Sequence, residues 1–397
     1  MGAVQLMDGI YWVGIVDWNL RYFHGYSLST HRGTTYNAYL IIDEKVTLVD
    51  TVYTPFAEDL LKNISEVIDP SKIDYVICNH LESDHSGSLP KVMEQAPGAT
   101  VFCSPRCEEG LKKHFQKDWD IQVVKSGTEL SLGKRTLTFI EAPMLHWPDS
   151  MFTYVKEDGL LMPNDAFGQH YASSKRFDDE VDLNIVMEEA AKYYANILYP
   201  FGKLVLKKIE ELKGMNIPIN MIAPSHGIIW RKDIGMIIEE YVKWASGKGR
   251  EKIVVAYDTM WHSTEKMAFA IIEGIQSEGV EAQLFRLPLS DHNDIIKEIL
   301  EGSAVILGSS TIHKDFLPTL APLLDEIVAL KPGNKLGAAF GSYGWSSGAV
   351  ESIEEKLSKA KIERAMEALK IKWAPNEEEL KQCFNFGKEM AVKVKAR

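Results

Sequence analysis

Two histidines and two carboxylates lie within one six-residue stretch of the chain, His80-Leu81-Glu82-Ser83-Asp84-His85. Imidazole and carboxylate groups together are typical ligands of divalent first-row transition metals. Residues 73–78, which are apolar apart from Asp74, precede the stretch and predict a buried strand. These side chains therefore follow a strand's carboxyl end, where sites in α/β proteins are built. We therefore predict a metal site here. The alternative is a polar loop that carries two solvated histidines.

Other strand-like runs in the first half of the chain also end in a histidine or an aspartate. His146 follows the run at residues 136–140, in a loop that flanking prolines stiffen. Asp165 follows the run at residues 159–162, and a carboxylate there could bridge two metal ions. His226 follows Ile222-Ala223 and precedes a glycine. The metal ligands predicted in this way are His80, Glu82, Asp84, His85, His146, Asp165 and His226.

The segments around these residues predict a layered domain. Residues 36–42 and 46–51 read as a β-hairpin with residues 43–45 as its turn, and a helical pattern follows at residues 56–66. Strands before and after a helix are typical of layered α/β or α+β architecture. We interpret the polar pairs Tyr36-Asn37 and Asp50-Thr51 as structural support rather than as catalytic groups.

His24, His170 and Tyr194 are candidates for catalytic roles close to the metals. The two histidines could donate hydrogen bonds behind the ligands, with ordinary surface or core positions as the alternative. Tyr193 and Tyr194 are both expected on a helix, where one could supply a proton or a hydrogen bond and the other packs in the core; Tyr194 is taken as the site residue. The histidines without supporting context are predicted to be solvated: His31, His114 and His292.

The composition narrows the classes of function. The chain has 397 residues, enough for two or three domains, and its net charge of −12 without a basic block argues against a nucleic-acid partner. No run of about 18 uncharged apolar residues is present, so no membrane span is predicted. The first residues lack a signal-peptide pattern. Four scattered cysteines without a Cys-x-x-Cys pair fit a reducing cytoplasm.

A second pattern begins after residues 245–252, which we interpret as a linker. The apolar residues 253–257 predict a central parallel strand, and a hydroxyl-rich loop then leads into a helix predicted at residues 265–276. Free N–H groups at a helix start favour a phosphate, and plain capping by Ser263 is the alternative. Strands predicted at residues 304–308 and 336–340 end in small and aromatic residues that suit a flat ring.

This second half resembles flavodoxin, and the resemblance implies a bound flavin. No G-x-G-x-x-G fingerprint follows its first strand, so FMN is expected rather than FAD or NAD. The candidate flavin contacts come from three strand ends: Thr259, Met260, Trp261, His262, Ser263, Thr264, Ser310, Thr311, Ile312, Ser342, Tyr343, Gly344 and Trp345.

The first half resembles the metallo-β-lactamase-like family in its ligand order, H-x-[EH]-x-D-H, then His, then Asp, then Pro-x-His-Gly. The resemblance implies an αββα sandwich with a dinuclear site at one edge. Hydrolytic members usually have a histidine where this chain has Glu82. The additional carboxylate is a harder ligand and shifts the expected metal from zinc to iron.

A metallo-β-lactamase-like half at residues 1–248, followed by a flavodoxin-like doubly wound parallel sheet at residues 249–397, resembles the flavodiiron proteins. The resemblance implies two iron ions and one shared ligand. One iron would be bound by His80, Glu82 and His146, the other by Asp84, His85 and His226, with Asp165 as the bridge. Coordination by His85 is left open, because water displaces the corresponding histidine in some members.

The resemblance implies reduction of O2 to water, of NO to N2O, or both, with electrons that pass through FMN from an external donor. Rubredoxin and reduced coenzyme F420 are both candidates for that donor. It also implies a head-to-tail homodimer, or a dimer of dimers, in which FMN of one chain faces the irons of its partner. Two other classes stand against this interpretation, a zinc hydrolase with a flavodoxin-like accessory domain and an electron carrier with an inactive first domain.

Overall fold

The computed structural model describes residues 2–397, and the chain divides into two compact units. Unit 1 comprises the chain up to Tyr193 together with Lys203–Tyr241, and unit 2 comprises Tyr194–Gly202 together with Val242–Arg397. The short segment at residues 194–202 therefore groups with the C-terminal unit, a detail absent from the sequence pattern. The predicted boundary between two independent domains, at residues 248 and 249, stays a prediction.

Unit 1 is built on two facing sheets. Its strands are β1 Val4–Met7, β2 Ile10–Trp12, β3 Ile15–Asp17, β4 Tyr22–Phe23, β5 Leu28–Ser29, β6 Thr34–Tyr36, β7 Tyr39–Ile41, β8 Thr47–Val49, β9 Tyr75–Cys78, β10 Thr100–Cys103, β11 Ile121–Val123, β12 Glu129–Ser131, β13 Thr136–Glu141, β14 Met151–Val155, β15 Leu160–Met162 and β16 Met221–Ile222. One sheet has the order β1-β2-β7-β8-β9-β10-β11 and the other β12-β13-β14-β15-β16. β7 and β8 pair antiparallel, which confirms the predicted hairpin.

The core of unit 1 lies between these sheets. Tyr39 and Ile41 of β7 share one buried cluster with Phe139, Met151 and Leu160 of the second sheet. Because side chains alternate across a strand, the residues between them point to the opposite face of each sheet. Those intervening residues are buried too, as in a sheet covered on both sides. The sequence therefore shows continuous apolar runs in these strands rather than strict alternation.

Helices flank the two sheets of unit 1. They are α1 Ala57–Ser65, α2 Ser83–Ser86, α3 Leu89–Gln95, α4 Pro105–Phe115, α5 Leu183–Tyr193, α6 Gly202–Gly214 and α7 Ile234–Ser246. The start of α4 shows a local cause, because Ser104 accepts a hydrogen bond from the Cys107 amide at 3.2 Å and Pro105 occupies the first helical position. Shorter 3-10 or π segments span Thr54–Phe56, Pro70–Lys72, Asp178–Glu180, Tyr194–Leu198, Tyr199–Phe201 and Pro318–Leu320.

Unit 2 is a parallel sheet with helices on both faces. Its strands are β17 Arg250–Asp258, β18 Glu281–Arg286, β19 Gly302–Ser310, β20 Leu336–Tyr343, β21 Glu363–Arg364 and β22 Leu369–Lys372. Its helices are α8 Ser263–Ser277, α9 His292–Glu301, α10 Ala321–Leu330, α11 Gly348–Lys359 and α12 Glu377–Lys395. The order β18-β17-β19-β20-β21, with β22 beside β20, is that of the flavodoxin-like doubly wound fold. Strand order reverses between β17 and β19, which is where such folds bind their ligand.

Two boundaries in the C-terminal half differ from the sequence prediction. The predicted linker at residues 245–252 is shorter, because α7 continues to Ser246 and β17 already begins at Arg250. Gly247, at φ +69°, takes the left-handed conformation that commonly ends a helix. Helix α8 begins at Ser263 rather than at residue 265. Within residues 2–397, no helix is both long and apolar enough to cross a lipid bilayer.

Candidate metal centre and flavin site

The seven predicted metal ligands come together at one edge of unit 1, and Asp165 lies between two groups of them. Its Oδ2 lies 3.7 Å from His80 Nε2 and 3.5 Å from His146 Nε2. Its Oδ1 lies 3.1 Å from His85 Nε2 and 3.5 Å from His226 Nε2. One carboxylate thus directs one oxygen toward each pair of imidazoles, as a bridging ligand would.

Each group contains two imidazoles and one further carboxylate. In the first, His80, Glu82 and His146 place one ligand atom each within 4.8 Å of one another. The same holds for Asp84, His85 and His226 in the second. Glu82 Oε2 lies 3.3 Å from His146 Nε2, and Asp84 Oδ2 lies 3.0 Å from His226 Nε2. The two positions therefore have matched donor sets and share Asp165.

Local structure explains why these side chains converge. The first motif leaves the end of β9, and helix α2 is a single turn that carries Asp84 and His85. His146 lies in the loop from β13 to β14, while Asp165 follows β15 and His226 follows β16. β15 and β16 pair in parallel, so the residues after them leave the same edge of the sheet.

Asp50 connects several of these ligand loops. This buried carboxylate, at φ 56°, accepts from the Asn79 amide at 2.8 Å, from Asn79 Nδ2 at 3.1 Å and from Asn164 Nδ2 at 3.2 Å. The next residue, Thr51, donates its hydroxyl to the carbonyl of His85 at 2.7 Å. Asn79 and Asn164 immediately precede His80 and Asp165. Asp50-Thr51 thus supports the ligand loops, in the structural role that we expected for the pair.

Two ligands of the first group have charged or ionisable partners. His80 donates Nδ1–H to Asp149 Oδ2 at 3.0 Å, and the same oxygen accepts from the Leu81 amide at 2.7 Å. His24 Nε2 lies 2.8 Å from Glu82 Oε1, so the structure brings this candidate into direct contact with a predicted ligand. The role of Asp149 was missed at the sequence level. Its position shortly after His146, in the same loop, was the available signal.

The carboxylates make this cluster strongly attractive to positive charge. Burial by itself lowers the pKa of His80, but its hydrogen bond to Asp149 and the nearby Glu82 carboxylate outweigh burial and raise that pKa well above 6.5. In the same way, the charges of Asp84 and Asp165 overcome burial and raise the pKa of His85 to about 9. Burial opposes ionisation of Asp165, yet the nearby histidines hold its pKa well below 3.8. Either a proton or a bound metal cation can offset the negative charge of these carboxylates.

The free polar atoms at the centre fit a metal pair. His80 Nε2, His85 Nε2 and Asp165 Oδ2 are buried and form no hydrogen bond among the residues that the structure describes. The same is true of both carboxylate oxygens of Asp84. Buried polar atoms are normally paired, so a convergent set without partners indicates a ligand that the side chains surround. Mixed imidazole and carboxylate donors suit iron.

The structure brings Tyr193, rather than Tyr194, to the metal ligands. The Tyr193 hydroxyl donates to Asp165 Oδ1 at 2.9 Å, whereas the Tyr194 ring lies 5.4 Å from that of Trp244. Consecutive helical residues point in directions about 100° apart, so only one of the pair can face the site. The helix changes at this point from α5 to a π-helical segment at Tyr194–Leu198, and the bond to Asp165 identifies Tyr193 as the residue that faces the site. A sequence pattern alone does not resolve a helix end to one residue.

His170 lies behind the second group of ligands. Its Nδ1 is 2.9 Å from the Thr34 hydroxyl, and its ring centroid is 5.0 Å from that of His226. Burial and the neighbouring His226 lower its pKa well below 6.5, so the ring is neutral. The structure therefore places this candidate beside a ligand, as a packing and hydrogen-bonding neighbour.

A cavity of about 470 Å³ is lined by one predicted ligand of each group, Glu82 and Asp84. Phe23, Leu81 and Trp147 contribute apolar surface to it. His114, which we expected to be an isolated solvated residue, also lines the cavity, although its side chain is exposed. The fold therefore leaves an open, largely apolar approach to the metal position.

The candidate flavin residues gather at the carboxyl end of the unit 2 sheet. Thr264 Oγ1 lies 2.9 Å from Ser310 Oγ and 2.9 Å from Ser342 Oγ, so the start of α8 and the ends of β19 and β20 share one hydroxyl cluster. The hydroxyls of Thr259 and Thr311 are buried without a hydrogen bond within the described chain. These groups offer donors to an anion at the predicted position.

The start of α8 is open to such an anion. Ser263 is the first helical residue and not the cap, while His262 occupies the cap position at φ 65° without a side-chain cap bond. The proposed capping by Ser263 is therefore not what the structure contains. Uncapped N–H groups and the helix dipole favour a phosphate here.

The remaining candidates form the mouth of this flavin site. Trp261 and Trp345 are 85% and 86% exposed, and Met260 and His262 are exposed as well. Ile312, Tyr343 and Gly344 are partly buried at the ends of β19 and β20. Two exposed indoles, in the loops after β17 and β20, suit the stacking of a flat ring.

Comparison with known proteins agrees with both halves. Residues 34–227 match the family described as "ODP family beta lactamase", and residues 255–387 match "Flavodoxin". A nitric oxide reductase of Moorella thermoacetica is 57% identical over 393 residues, covering 98% of both chains. The structure of rubredoxin oxygen:oxidoreductase from Desulfovibrio gigas superposes with a TM-score of 0.97, at 42% identity and 99% coverage of each chain. The flavodiiron protein from Giardia intestinalis superposes with a TM-score of 0.96 at 37% identity, covering 100% of this chain and 97% of that one.

The chain belongs to the flavodiiron proteins. The predicted family is confirmed, and so is the predicted fold of a metallo-β-lactamase-like unit followed by a flavodoxin-like unit. Membership in the flavodiiron proteins favours an oxidoreductase over the zinc-hydrolase alternative. The individual site residues are not tested by these similarities and stay predictions that rest on the geometry above.

Proposed function

We propose that this flavodiiron protein reduces O2 to water, NO to N2O, or both, at a non-haem diiron centre supplied with electrons through FMN. The observation that carries the proposal is the position of Asp165, with one oxygen toward each of two matched ligand groups. The names of the similar proteins from Moorella thermoacetica and Desulfovibrio gigas support NO and O2 as the substrates.

The residues of this chain would perform distinct tasks in that reaction. His80, Glu82 and His146 would hold one iron, and Asp84, His85 and His226 the other. Two iron ions held by these residues would supply the redox chemistry of the reaction. The apolar cavity walls admit a small neutral gas, and His24 lies at the cavity beside Glu82. Thr264 and the start of α8 would hold the FMN phosphate.

Metal analysis and rapid kinetics test this proposal. Protein from iron-replete cells should contain about two irons per chain, because each matched donor set can hold one. The reduced protein should be oxidised by O2, by NO or by both in stopped-flow experiments, and the two rates rank the substrates. Stoichiometric zinc, with no activity gained on iron loading, would refute the redox function.

Glu82→His offers a matched test of the metal preference. The variant has the histidine that hydrolytic relatives carry at this position, while the other ligands are unchanged. We expect a higher zinc-to-iron ratio when both metals are supplied, because one carboxylate is replaced by a softer donor. An unchanged ratio would mean that Glu82 does not select the metal.

We further propose an external electron donor, either rubredoxin or reduced coenzyme F420. The relative from Desulfovibrio gigas carries rubredoxin in its name, which supports the first. Reduction of the bound FMN by each donor, followed by its visible absorption, distinguishes them. We place the protein in the cytoplasm, since its four cysteines are free thiols and buried, as expected in a reducing compartment.

We also propose the head-to-tail homodimer, alone or paired into a dimer of dimers. Exposed apolar surface occurs both at the metal cavity, where Trp147 is 39% exposed, and at the flavin loops, where Trp261 is 85% exposed. Each surface would cover the other across a two-fold axis, which creates two equivalent FMN-to-iron pairs from one self-complementary interface.

Mixed dimers test this arrangement. One chain carries Asp165→Ala, which breaks the metal site, and the other carries Ser263→Ala with Thr264→Ala, which breaks the flavin site. Each variant alone should be inactive, and the mixed dimer should recover one working pair. Tagged mixed dimers that stay inactive would refute electron transfer between chains.

A further inference from the structure

The two metal positions have the same donors but different surroundings. Each has two imidazoles and one carboxylate, and both share Asp165. A difference in their affinity must therefore come from the groups that contact the ligands. Such outer partners orient a histidine and set its basicity, and their loss commonly lowers metal affinity about 10- to 100-fold.

The first position has charged support. His80 Nδ1 donates to the carboxylate of Asp149, which is 4% exposed. Asp149 is itself held, because its Oδ2 accepts from the Leu81 amide and its carbonyl accepts from Ser104 at 2.6 Å. A buried carboxylate behind an imidazole makes that imidazole a stronger donor to a metal.

At the second position, no carboxylate within residues 2–397 is hydrogen-bonded to the Nδ1 atom of either histidine. His226 Nδ1 donates to the backbone carbonyl of Thr35 at 2.7 Å. His85 Nδ1 is buried and forms no hydrogen bond within residues 2–397. The carboxylate oxygens of Asp84 also lack a hydrogen bond there. His226 is thus the histidine of this group with a fixed ring orientation, but its Nδ1 is bonded to a neutral carbonyl rather than to a carboxylate.

Strand β6 and the residues after it hold the His226 loop. The Thr35 hydroxyl accepts from the Gly227 amide at 2.6 Å, next to the bond from His226 to the Thr35 carbonyl. Asn37, which is fully buried, donates to the Pro224 carbonyl at 2.8 Å and accepts from Trp12 Nε1 at 2.7 Å. Hydrogen bonds therefore hold the loop on both sides of the histidine.

We propose that the two positions bind metal unequally, with the Asp84–His85–His226 position the weaker and first to exchange, and that Thr35 is the positioning residue that keeps His226 in place. This inference rests on the proposed ligand set. It predicts ordered loading, in which the first ion occupies the His80–Glu82–His146 position and the second ion binds afterwards.

Titration of the full-length, metal-stripped chain with Co²⁺ tests the inequality. Bound Co²⁺ is followed by its visible absorption against a competing chelator, so that both binding steps are measured as equilibria. We expect two steps separated by about 10- to 100-fold in affinity. A single step with equal affinities would overturn the proposal.

Isosteric variants assign the steps. Thr35→Val removes the hydroxyl that accepts from Gly227 and should weaken only the second step, by about tenfold or more. Thr35→Ser keeps the hydroxyl and should bind the second ion with the native affinity. Thr47→Val is the matched control, because Thr47 is an equally buried threonine on β8 whose hydroxyl donates to the Lys45 carbonyl instead. Equal effects of the two valine variants would refute the positioning role, provided that the thermal midpoints of the metal-free variants match.

Two more variants complete the test. Asp149→Asn can keep its oxygen toward His80 while it loses the charge. It should therefore weaken the first binding step and reduce the difference in affinity between the two steps. No change in the first step would refute the charge argument. His226→Ala should abolish the second step. If both steps persist in that variant, the proposed ligand set is wrong, an outcome distinct from failure of the inequality.

Discussion

Tyr193→Phe measures how much one hydrogen bond to Asp165, the proposed bridging ligand, contributes to iron binding. The fully buried hydroxyl donates to Asp165 Oδ1 at 2.9 Å, and burial together with the charge of Asp165 raises the pKa of Tyr193 well above 10, so it remains a donor. A hydrogen bond to a charged group contributes about 1.5–3 kcal/mol. Since 1.36 kcal/mol corresponds to a factor of ten, its full loss equals about 10- to 150-fold. Ser225 also donates to this oxygen, at 3.1 Å, so we expect the lower end.

The assay compares Tyr193→Phe with Tyr194→Phe. Both remove one buried phenol oxygen from adjacent residues, but only the first removes a bond to Asp165. We expect iron affinity or turnover of O2 and NO to fall about tenfold in Tyr193→Phe, by the energy above, and to remain at the native value in Tyr194→Phe. Iron is measured by chelator competition, and turnover by gas electrodes with a rubredoxin-coupled reductant. If both variants behave as native, or if both lose the same amount, the reasoning from the Asp165 contact fails.

Three further outcomes follow from the structure. Thr264→Val should weaken FMN binding at least tenfold in fluorescence titration, whereas Ser277→Ala at the other end of α8 should not. Equal FMN affinities of the two variants would contradict the proposed phosphate position. Lys335→Met should raise the thermal midpoint of unit 2 more at pH 7.5 than at pH 9.5. Burial lowers the pKa of Lys335 to about 7 in the folded protein, against about 10.5 in the unfolded chain. Unfolding therefore takes up a proton between those two pH values, and the stability of the native protein with Lys335 rises with pH. A difference independent of pH would contradict this. Asp50→Asn should destabilise unit 1 by about 1–3 kcal/mol, because one of the groups that donates to the carboxylate loses its acceptor. A free energy of urea unfolding equal to that of the native protein would contradict this prediction.

Much of the candidate site could be predicted because each ligand follows an apolar run. A strand that is buried on both faces appears in the sequence as continuous apolar residues, and the polar residue after it must leave the sheet at its edge. His80, Asp165 and His226 all follow this rule. The structure brings them together with the other predicted ligands, while the binding of metal by each one stays a prediction.

The supporting residues could not be predicted in the same way. Asp149 contacts His80 across 69 positions of sequence, and Thr35 contacts His226 across 191. Nothing in the local pattern around Thr35 differs from that of an ordinary buried strand. The same limit applies to Cys78 and Cys107, which seemed scattered along the chain but have sulfur atoms 3.6 Å apart in the fold.

Sequence alone determined the two-part architecture and the chemical type of the site, because periodicity, strand-end ligands and a helix start after a hydroxyl-rich loop are all local features. Tertiary structure decided the pairings that give these residues their environment. It selected Tyr193 over Tyr194, gave His80 a carboxylate partner and gave His226 a carbonyl. The physical reason is that a hydrogen bond depends on distance and direction in space, and only the packing of the sheets brings residues far apart in sequence within reach of one another.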